Sequence, residues 1–209
     1  QLGHEMRNAL KGNNRFECIF TDVAELDICN TEAVKQTMAN NHIDYIVNCA
    51  AYTQVDKAED NAELCKKINT DAVENLARAA ADYGARMITD YVFNGRGYRP
   101  YTEDMVPDPQ SVYGSTKLEG EKILTDICPE SIIIRTAWLY SPYGNNFVKT
   151  MLHLGEEREE LSVVADQIGT PTCAADLAQA ILVILQADTF VPGTYHFSDE
   201  GVCSWYDFT

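Results

Sequence analysis

A doubly wound α/β fold, a parallel sheet covered by helices, is what this sequence predicts, and three observations predict it. Strand-like apolar runs alternate with amphipathic stretches of helical period, the order expected when each strand is followed by a crossover helix. At 209 residues with 45% hydrophobic content, the chain can bury a sizeable core as one larger domain or one domain with an appendage. Its C-terminal third changes in texture to shorter runs and turn-rich pieces, which predicts a smaller lobe beside the main sheet.

The elements follow in order. Gln1-Leu2-Gly3 leads directly into HEMRNALKG, which reads as a helix. A doubly wound fold wants a buried strand ahead of its first helix, so a first strand and its turn are expected to be absent from the sequence. FECIFTD (16–22) reads as a strand, AVKQTMANN (33–41) as a helix and DYIVNCA (44–50) as a strongly apolar strand. A long helix from about Asn61 to Tyr83 is followed by ARMI (85–88), a helix around Lys117 to Cys128 and the strand SIIIRTAWLY (131–140). ARMI is short for a central strand, whose usual length is about five or six residues, so a few residues are expected to be missing just before Thr89. Beyond Tyr143-Gly144-Asn145-Asn146-Phe147 come a helix to about Gly155, a short strand LSVVAD (161–166) and the turn-rich QIGTPT (167–172). A helix to Gln186 and a strand near TYHFS (194–198) follow, and WYDFT (205–209) looks like the first turn of a helix that is cut short. Residues 1–142 then form the larger part and 143–209 the smaller lobe, interleaved with it, and a cleft at such a junction is where ligands usually sit.

Composition excludes several classes. Sixteen basic against 32 acidic residues leave a net charge of −16, which repels nucleic acid and anionic lipid, and no run of Lys or Arg offsets it. Seven cysteines, widely spread and without a C-x-x-C pair, predict reduced thiols in a cytoplasm and neither a disulfide frame nor a zinc site. No apolar run approaches the roughly 18 residues needed to span a bilayer, and no leader opens the chain.

The chemistry centres on SVYGSTKLEGEK (111–122), where Tyr113 and Lys117 are one helical turn apart. At that spacing side chains share a face about 6 Å apart at Cβ, so a phenol and an ammonium can address one point. A phenol with a reference pKa of about 10 is a poor acid or base at neutral pH, and a neighbouring ammonium favours the phenolate. Chance alone provides about 0.4 such pairs in a chain of this composition, so the motif needs company. Thr89 in TDYVFNG stands where a strand should end, at the ligand-binding edge of a parallel sheet, although a turn or helix cap explains Thr89 and Asp90 equally. Ala50 and Ala51, followed by Thr53, end an apolar strand in small residues that let a flat cofactor approach, or that allow tight strand-helix packing. Asp22 closes FECIFTD where a dinucleotide-binding fold places an acid on a ribose, with a strand-end cap as the competing reading.

Together QLG, VNCAAYTQVDKAE, TDYVF, PQSVYGSTKLEGE, RTAWLY, GNNFVKTM and DQIGTPT make the chain resemble the extended short-chain dehydrogenase/reductases over essentially its whole length. Within them it resembles the dTDP-4-dehydrorhamnose reductases. The resemblance implies a Rossmann-type fold, with residues 1–142 binding the dinucleotide and 143–209 the nucleotide-sugar. It also implies NADPH- or NADH-dependent reduction of the C4 ketone of a dTDP-sugar. Tyr113 becomes the proton donor, Lys117 the residue that makes the phenol acidic and holds the nicotinamide ribose, and Thr89 the hydroxyl partner of the carbonyl. Gln1 and Leu2 match the tail of a glycine-rich cofactor loop, and Asp22, Asp27, Ile28, Ala50, Ala51 and Thr53 match further cofactor positions. Asp90, Val92, Phe93 and Trp138 match substrate positions, as do Asn145, Asn146, Gln167, Thr170 and Thr172 toward the nucleotide end. A core aromatic remains the alternative for Trp138, and turn residues for Asn145 and Asn146. Where dehydratases of the superfamily resemble T-D-E, this chain has Thr89-Asp90-Tyr91, which favours a simple reductase over a dehydratase or epimerase. A cofactor-binding regulatory subunit is a rival that the presence of Tyr113, Lys117 and Thr89 argues against. An acid at Asp22 suits NADH, while the loop ahead of Gln1 also bears on the choice between NADH and NADPH. Some members of the family dimerise around Mg2+ held by glutamates, and Glu5 matches one such position. With no second ligand matched, the sequence is read without a metal, and a homodimer stays open.

Overall fold

The computed structural model describes residues 1–89 and 100–209. In chain order, α1 (Leu2–Ala9) and α2 (Thr31–Asn41) precede β1 (Tyr45–Val47). Next come α3 (Val55–Asp60), α4 (Ala62–Lys66), a π-helical turn (Lys67–Asp71), α5 (Ala72–Tyr83) and β2 (Arg86–Thr89). They are followed by α6 (Val112–Ile127), β3 (Ile132–Arg135), β4 (Leu139–Tyr140), α7 (Phe147–Glu157), β5 (Ile168–Gly169) and β6 (Thr172–Cys173). Finally α8 (Ala174–Gln186), β7 (Gly193–His196) and β8 (Cys203–Ser204) complete the chain. Polar caps set three helix starts: the side chains of Asn30, Ser111 and Asn146 accept from the backbone N–H groups of Ala33, Gly114 and Lys149.

Two compact units result, and neither is a single stretch of chain. One comprises Ile19–Arg135 and Val191–His196. It holds a four-stranded, wholly parallel sheet in the order β1-β2-β3-β7. Four residues suffice to make β2 central, because Tyr45–Val47 pairs with Arg86–Ile88 on one side and Thr89 pairs with Ile133 on the other. Met87 and Ile133 of the sheet pack with Val73, Leu76 and Ala80 of α5, Leu124 of α6, and Val34 and Met38 of α2 in one buried cluster. The other unit comprises Gln1–Cys18, Thr136–Phe190 and Phe197–Thr209. In it α1 packs on α8, and each buries an apolar stripe, Leu2 and Met6 on one and Leu177, Ile181 and Leu185 on the other. Two ribbons join it, β4 parallel to β6 and β5 antiparallel to β8. No helix among the described residues is long and apolar enough to cross a membrane.

The alternation of strand and helix is as expected, and the differences have local causes. FECIFTD (16–22) is not a strand: Glu17, Cys18 and Ile19 are exposed, and no strand among the described residues pairs with the segment. An apolar run becomes a strand only where a neighbour offers a ladder. LSVVAD (161–166) is likewise irregular, with Val164 O accepting from Tyr206 N at 3.1 Å, and the paired residues are instead Ile168 and Gly169. SIIIRTAWLY divides after Arg135, and Trp138, at φ 47°, adopts the left-handed region before β4 begins. The long helix from Asn61 to Tyr83 is interrupted by the π turn, whose Asn69 and Thr70 are buried.

Candidate active site

Helix α6 begins with its free donors satisfied from two directions. Ser111 Oγ accepts from Gly114 N at 3.1 Å, and Glu59 Oε1 of α3 accepts from Val112 N at 2.9 Å. That first turn carries Tyr113, half-buried. One turn later Lys117 lies on the buried face of the helix, 4% exposed, and Thr89 at the end of β2 is 5% exposed. Thr89 and Lys117 line one narrow crevice together with Asn69, Val73, Gly120 and Glu121.

Close backbone contact holds α6 in that position. A Cβ at Gly120 would run into the carbonyl oxygen of Asn69, so the helix reaches the π turn only because residue 120 has no side chain. Asn69 is buried and fully engaged: its Oδ1 accepts from Tyr52 N at 2.8 Å, and its Nδ2 donates to Tyr52 O at 3.2 Å. The same Nδ2 also lies 3.4 Å from both Cys65 Sγ and Thr116 Oγ1. Thr70 Oγ1 donates to Thr116 O at 2.8 Å. Farther along the same face, Glu121 takes an ion pair from Arg135, the last residue of β3, with Nη2 2.9 Å from Oε2. Sequence reasoning missed Asn69, Gly120, Glu121 and Arg135. A polar residue, a glycine and a carboxylate at positions that would otherwise be apolar on packed helices were the available signals.

The other residues expected to meet a cofactor follow β1 or precede α2. Asn48, 7% exposed, donates its N–H to Ile88 O, accepts from Ala50 N at 3.1 Å, and its Nδ2 has no partner among the described residues. Beyond it Ala50 and Thr53 are exposed and Ala51 is half-buried. Asp22 is exposed and caps its own turn, Oδ1 accepting from Val23 N at 2.7 Å. Asp27 Oδ1 accepts from Cys29 N at 2.9 Å, and Ile28 packs against the core cluster. Of the remaining expected residues, Asp90, Val92 and Phe93 lie outside the described residues.

The second unit holds Gln1, Leu2, Trp138, Asn145, Asn146, Gln167, Thr170 and Thr172. Trp138 stacks on Trp205 with centroids 3.5 Å apart and planes 13° from parallel. Gly169 lies against its ring, where any Cβ would collide. Gln167 Oε1 accepts from Trp205 Nε1 at 3.2 Å. Asn146 is used by the protein itself: it caps α7 through Oδ1, and its Nδ2 donates to Ser141 O at 2.8 Å and Gln1 Oε1 at 3.0 Å. Asn145 is exposed, Thr170 half-buried, and Leu2 buried on α1. Thr172 is fully buried, and its Oγ1 has no partner among the described residues. Burial pushes the Tyr140 phenol above its ordinary range, with Cys173, Asp199 and Asp176 adding to the shift, so it stays a neutral hydroxyl at physiological pH. Glu5 is buried and accepts from Asn8 Nδ2 at 3.2 Å. Among the described residues no group of three or more His, Cys, Asp or Glu could hold a metal ion.

The RmlD substrate binding domain family matches residues 1–209. The dTDP-4-dehydrorhamnose reductase of Escherichia coli (strain K12) is 45% identical over 221 residues, covering 100% of this chain and 72% of its own. A solved structure of a dTDP-4-dehydrorhamnose reductase from Clostridium acetobutylicum has a TM-score of 0.94 at 48% identity, covering 100% of this chain and 74% of that one. The Bacillus anthracis dTDP-4-dehydrorhamnose reductase, solved in complex with NADP, has a TM-score of 0.93 at 43% identity over 100% of this chain and 74% of that one.

Proposed function

Because the chain belongs to the RmlD substrate binding domain family, we propose that it reduces the C4 ketone of dTDP-4-dehydro-L-rhamnose to give dTDP-L-rhamnose. It is an NAD(P)H-dependent oxidoreductase. The described residues suit a nicotinamide dinucleotide: the Nδ2 of Asn48, without a partner among them, is a buried donor at the carboxyl edge of β1, beside the small, exposed Ala50. In this reading Gln1, Leu2, Asp22, Asp27, Ile28, Ala50, Ala51 and Thr53 hold the dinucleotide, in the part of the chain ahead of residue 143. Residues 143–209, with Thr89, Asp90, Val92, Phe93 and Trp138, serve the sugar nucleotide. When bound, the reduced nicotinamide supplies the hydride.

The chain's own residues manage the proton. Tyr113 gives its phenolic proton to the C4 oxygen as that oxygen becomes an alkoxide. Lys117, one turn along α6, stabilises the phenolate that remains. Thr89 donates a hydrogen bond to the same oxygen and fixes the carbonyl. Acid catalysis of this kind contributes about 10² to 10⁴ in rate. The observation that carries the reading is that the end of β2 and the buried face of α6 bring Thr89 and Lys117 to one crevice. A cytoplasmic location accords with seven widely spread cysteines that form no C-x-x-C pair.

The test is Tyr113→Phe, assayed with dTDP-4-dehydro-L-rhamnose by loss of NADPH absorbance. The variant is expected to fold and bind NADPH while losing turnover by about 10² to 10⁴. Turnover near the wild-type level would overturn the assignment. In the wild-type chain, NADPH binding without oxidation in the presence of the sugar would point instead to a regulatory cofactor-binding subunit.

A further inference from the structure

The start of α1 is clasped by a turn from far along the chain. Gln1 is the cap residue of that helix, its carbonyl oxygen accepting from His4 N at 3.1 Å and Glu5 N at 3.2 Å. Its side chain is held from residues 141–146, where Asn146 Nδ2 donates to Gln1 Oε1 at 3.0 Å. The same Nδ2 donates to Ser141 O at 2.8 Å, and Asn146 Oδ1 accepts from Lys149 N at 3.1 Å in the first turn of α7. One amide therefore joins the start of α1, the start of α7 and the turn between β4 and α7.

The turn is shaped to meet α1. Gly144, at φ 65°, adopts the left-handed region, and a Cβ there would stand 3.3 Å from Gln1 Cγ. Lys149 Nζ donates to Pro142 O at 3.2 Å and Gly144 O at 2.9 Å, while Ser141 Oγ accepts from Tyr143 N at 3.0 Å. Tyr143 then reaches α1 twice: its ring stacks on His4 with centroids 4.8 Å apart, and its hydroxyl accepts from Asn8 Nδ2 at 3.0 Å. All of these residues belong to one compact unit.

We infer that Asn146 is a positioning residue for the dinucleotide, acting through Gln1, and not a contact of the sugar nucleotide. The inference rests on the reading that Gln1 and Leu2 hold the dinucleotide. A primary amide has two N–H donors, and those of Asn146 go to Gln1 and Ser141, so no donor is left for the diphosphate of a sugar nucleotide. The N–H groups that a helix leaves unpaired in its first turn suit a phosphate, provided that the turn stays in place. Pinning the cap residue fixes that turn before the cofactor arrives, and a loosened turn adds an ordering cost to binding.

The experiment measures Kd for NADPH by its fluorescence and Kd for dTDP by calorimetry. It compares the full-length chain with Asn146→Ser, Gln1→Met and the double variant, with circular dichroism to verify folding. Serine keeps a cap for α7 and lacks the amide, while methionine keeps the length of Gln1 and lacks its oxygen. Asn146→Ser is expected to raise Kd for NADPH about five- to tenfold, the effect of losing one or two hydrogen bonds, and to change Kd for dTDP by less than about twofold. The double variant is expected to bind NADPH no more weakly than Gln1→Met alone, because a residue that acts through Gln1 has nothing further to lose. An unmoved Kd for NADPH in Asn146→Ser, beside a raised one in Gln1→Met, sinks the inference alone. Additive losses in the double variant overturn it too, as does a rise in Kd for dTDP as large as that for NADPH. An unmoved Kd for NADPH in Gln1→Met overturns the dinucleotide reading of Gln1 and the inference with it. Should Asn146→Ser fail to fold, Asn146→Thr, another capping residue without an amide, replaces it under the same criteria.

Discussion

Asp207 shows what one side chain can do without being buried. Its Oδ2 accepts from Ser204 Oγ at 2.6 Å and Ser204 N at 2.9 Å, while Asp207 N donates to Ser204 Oγ at 3.0 Å. These bonds, the hydroxyl first, favour the ionised carboxylate and hold it below the ordinary range. A carboxylate depressed in the folded state contributes stability that is present above its unfolded pKa and is lost as pH falls through the folded one. Asp207→Ala is therefore expected to lower the Tm at pH 7, and the difference from wild type should shrink away as pH falls below the ordinary carboxylate range. A difference that persisted in acid would mean that the side chain acts by packing. Trp138 is the opposite case, a side chain defined by its surroundings. A left-handed backbone, close contact with Gly169 and stacking on Trp205 fix the indole, and strain of that kind is maintained only where the neighbours over-determine it.

At the scale of elements, α6 is the one on which the candidate chemistry depends, and its position is set by a helix-to-turn contact more than by its own propensity. Gly120 faces the Asn69 carbonyl, and Asn69 in turn ties the π turn to Tyr52 and Thr116. Gly120→Ala gains helix propensity of about 1 kcal/mol and loses more through forced separation, since overpacking costs about 1–3 kcal/mol. The expected outcome is a lower Tm together with a fall in kcat, because the helix that moves carries both Tyr113 and Lys117. An unchanged Tm would show that α6 can be repositioned without loss. Strand β2 illustrates a related economy: its four residues are central because both neighbours pair with them, and Thr89 stands at its last position.

For the whole molecule, the dominant long-range term is charge. A net charge of −16 repels itself more strongly in the folded chain than in the expanded one. Raising ionic strength from about 0.01 to 0.3 M shortens the Debye length from about 30 Å to well under 10 Å, so Tm is expected to rise with salt. A Tm that fell with added salt would indicate that ion pairs such as Arg78–Glu74 outweigh the repulsion.

The sequence by itself determined the alternation of strand and helix, the end of β2 at Thr89 and the spacing of Tyr113 and Lys117, while the start of α6 at Val112, capped by Ser111, lies earlier than the expected start around Lys117. What was legible depends only on residues close along the chain, through periodicity and i,i+4 geometry. The same locality explains the misreading of 16–22 and 161–166, where apolar character was present but a pairing strand was not. Only the tertiary structure decided that 131–140 breaks at Trp138, that Gly120 admits the Asn69 carbonyl, and that Arg135 claims Glu121. Each of these joins groups far apart in sequence but adjacent in space, and steric exclusion and charge neutralisation act on distance through space alone.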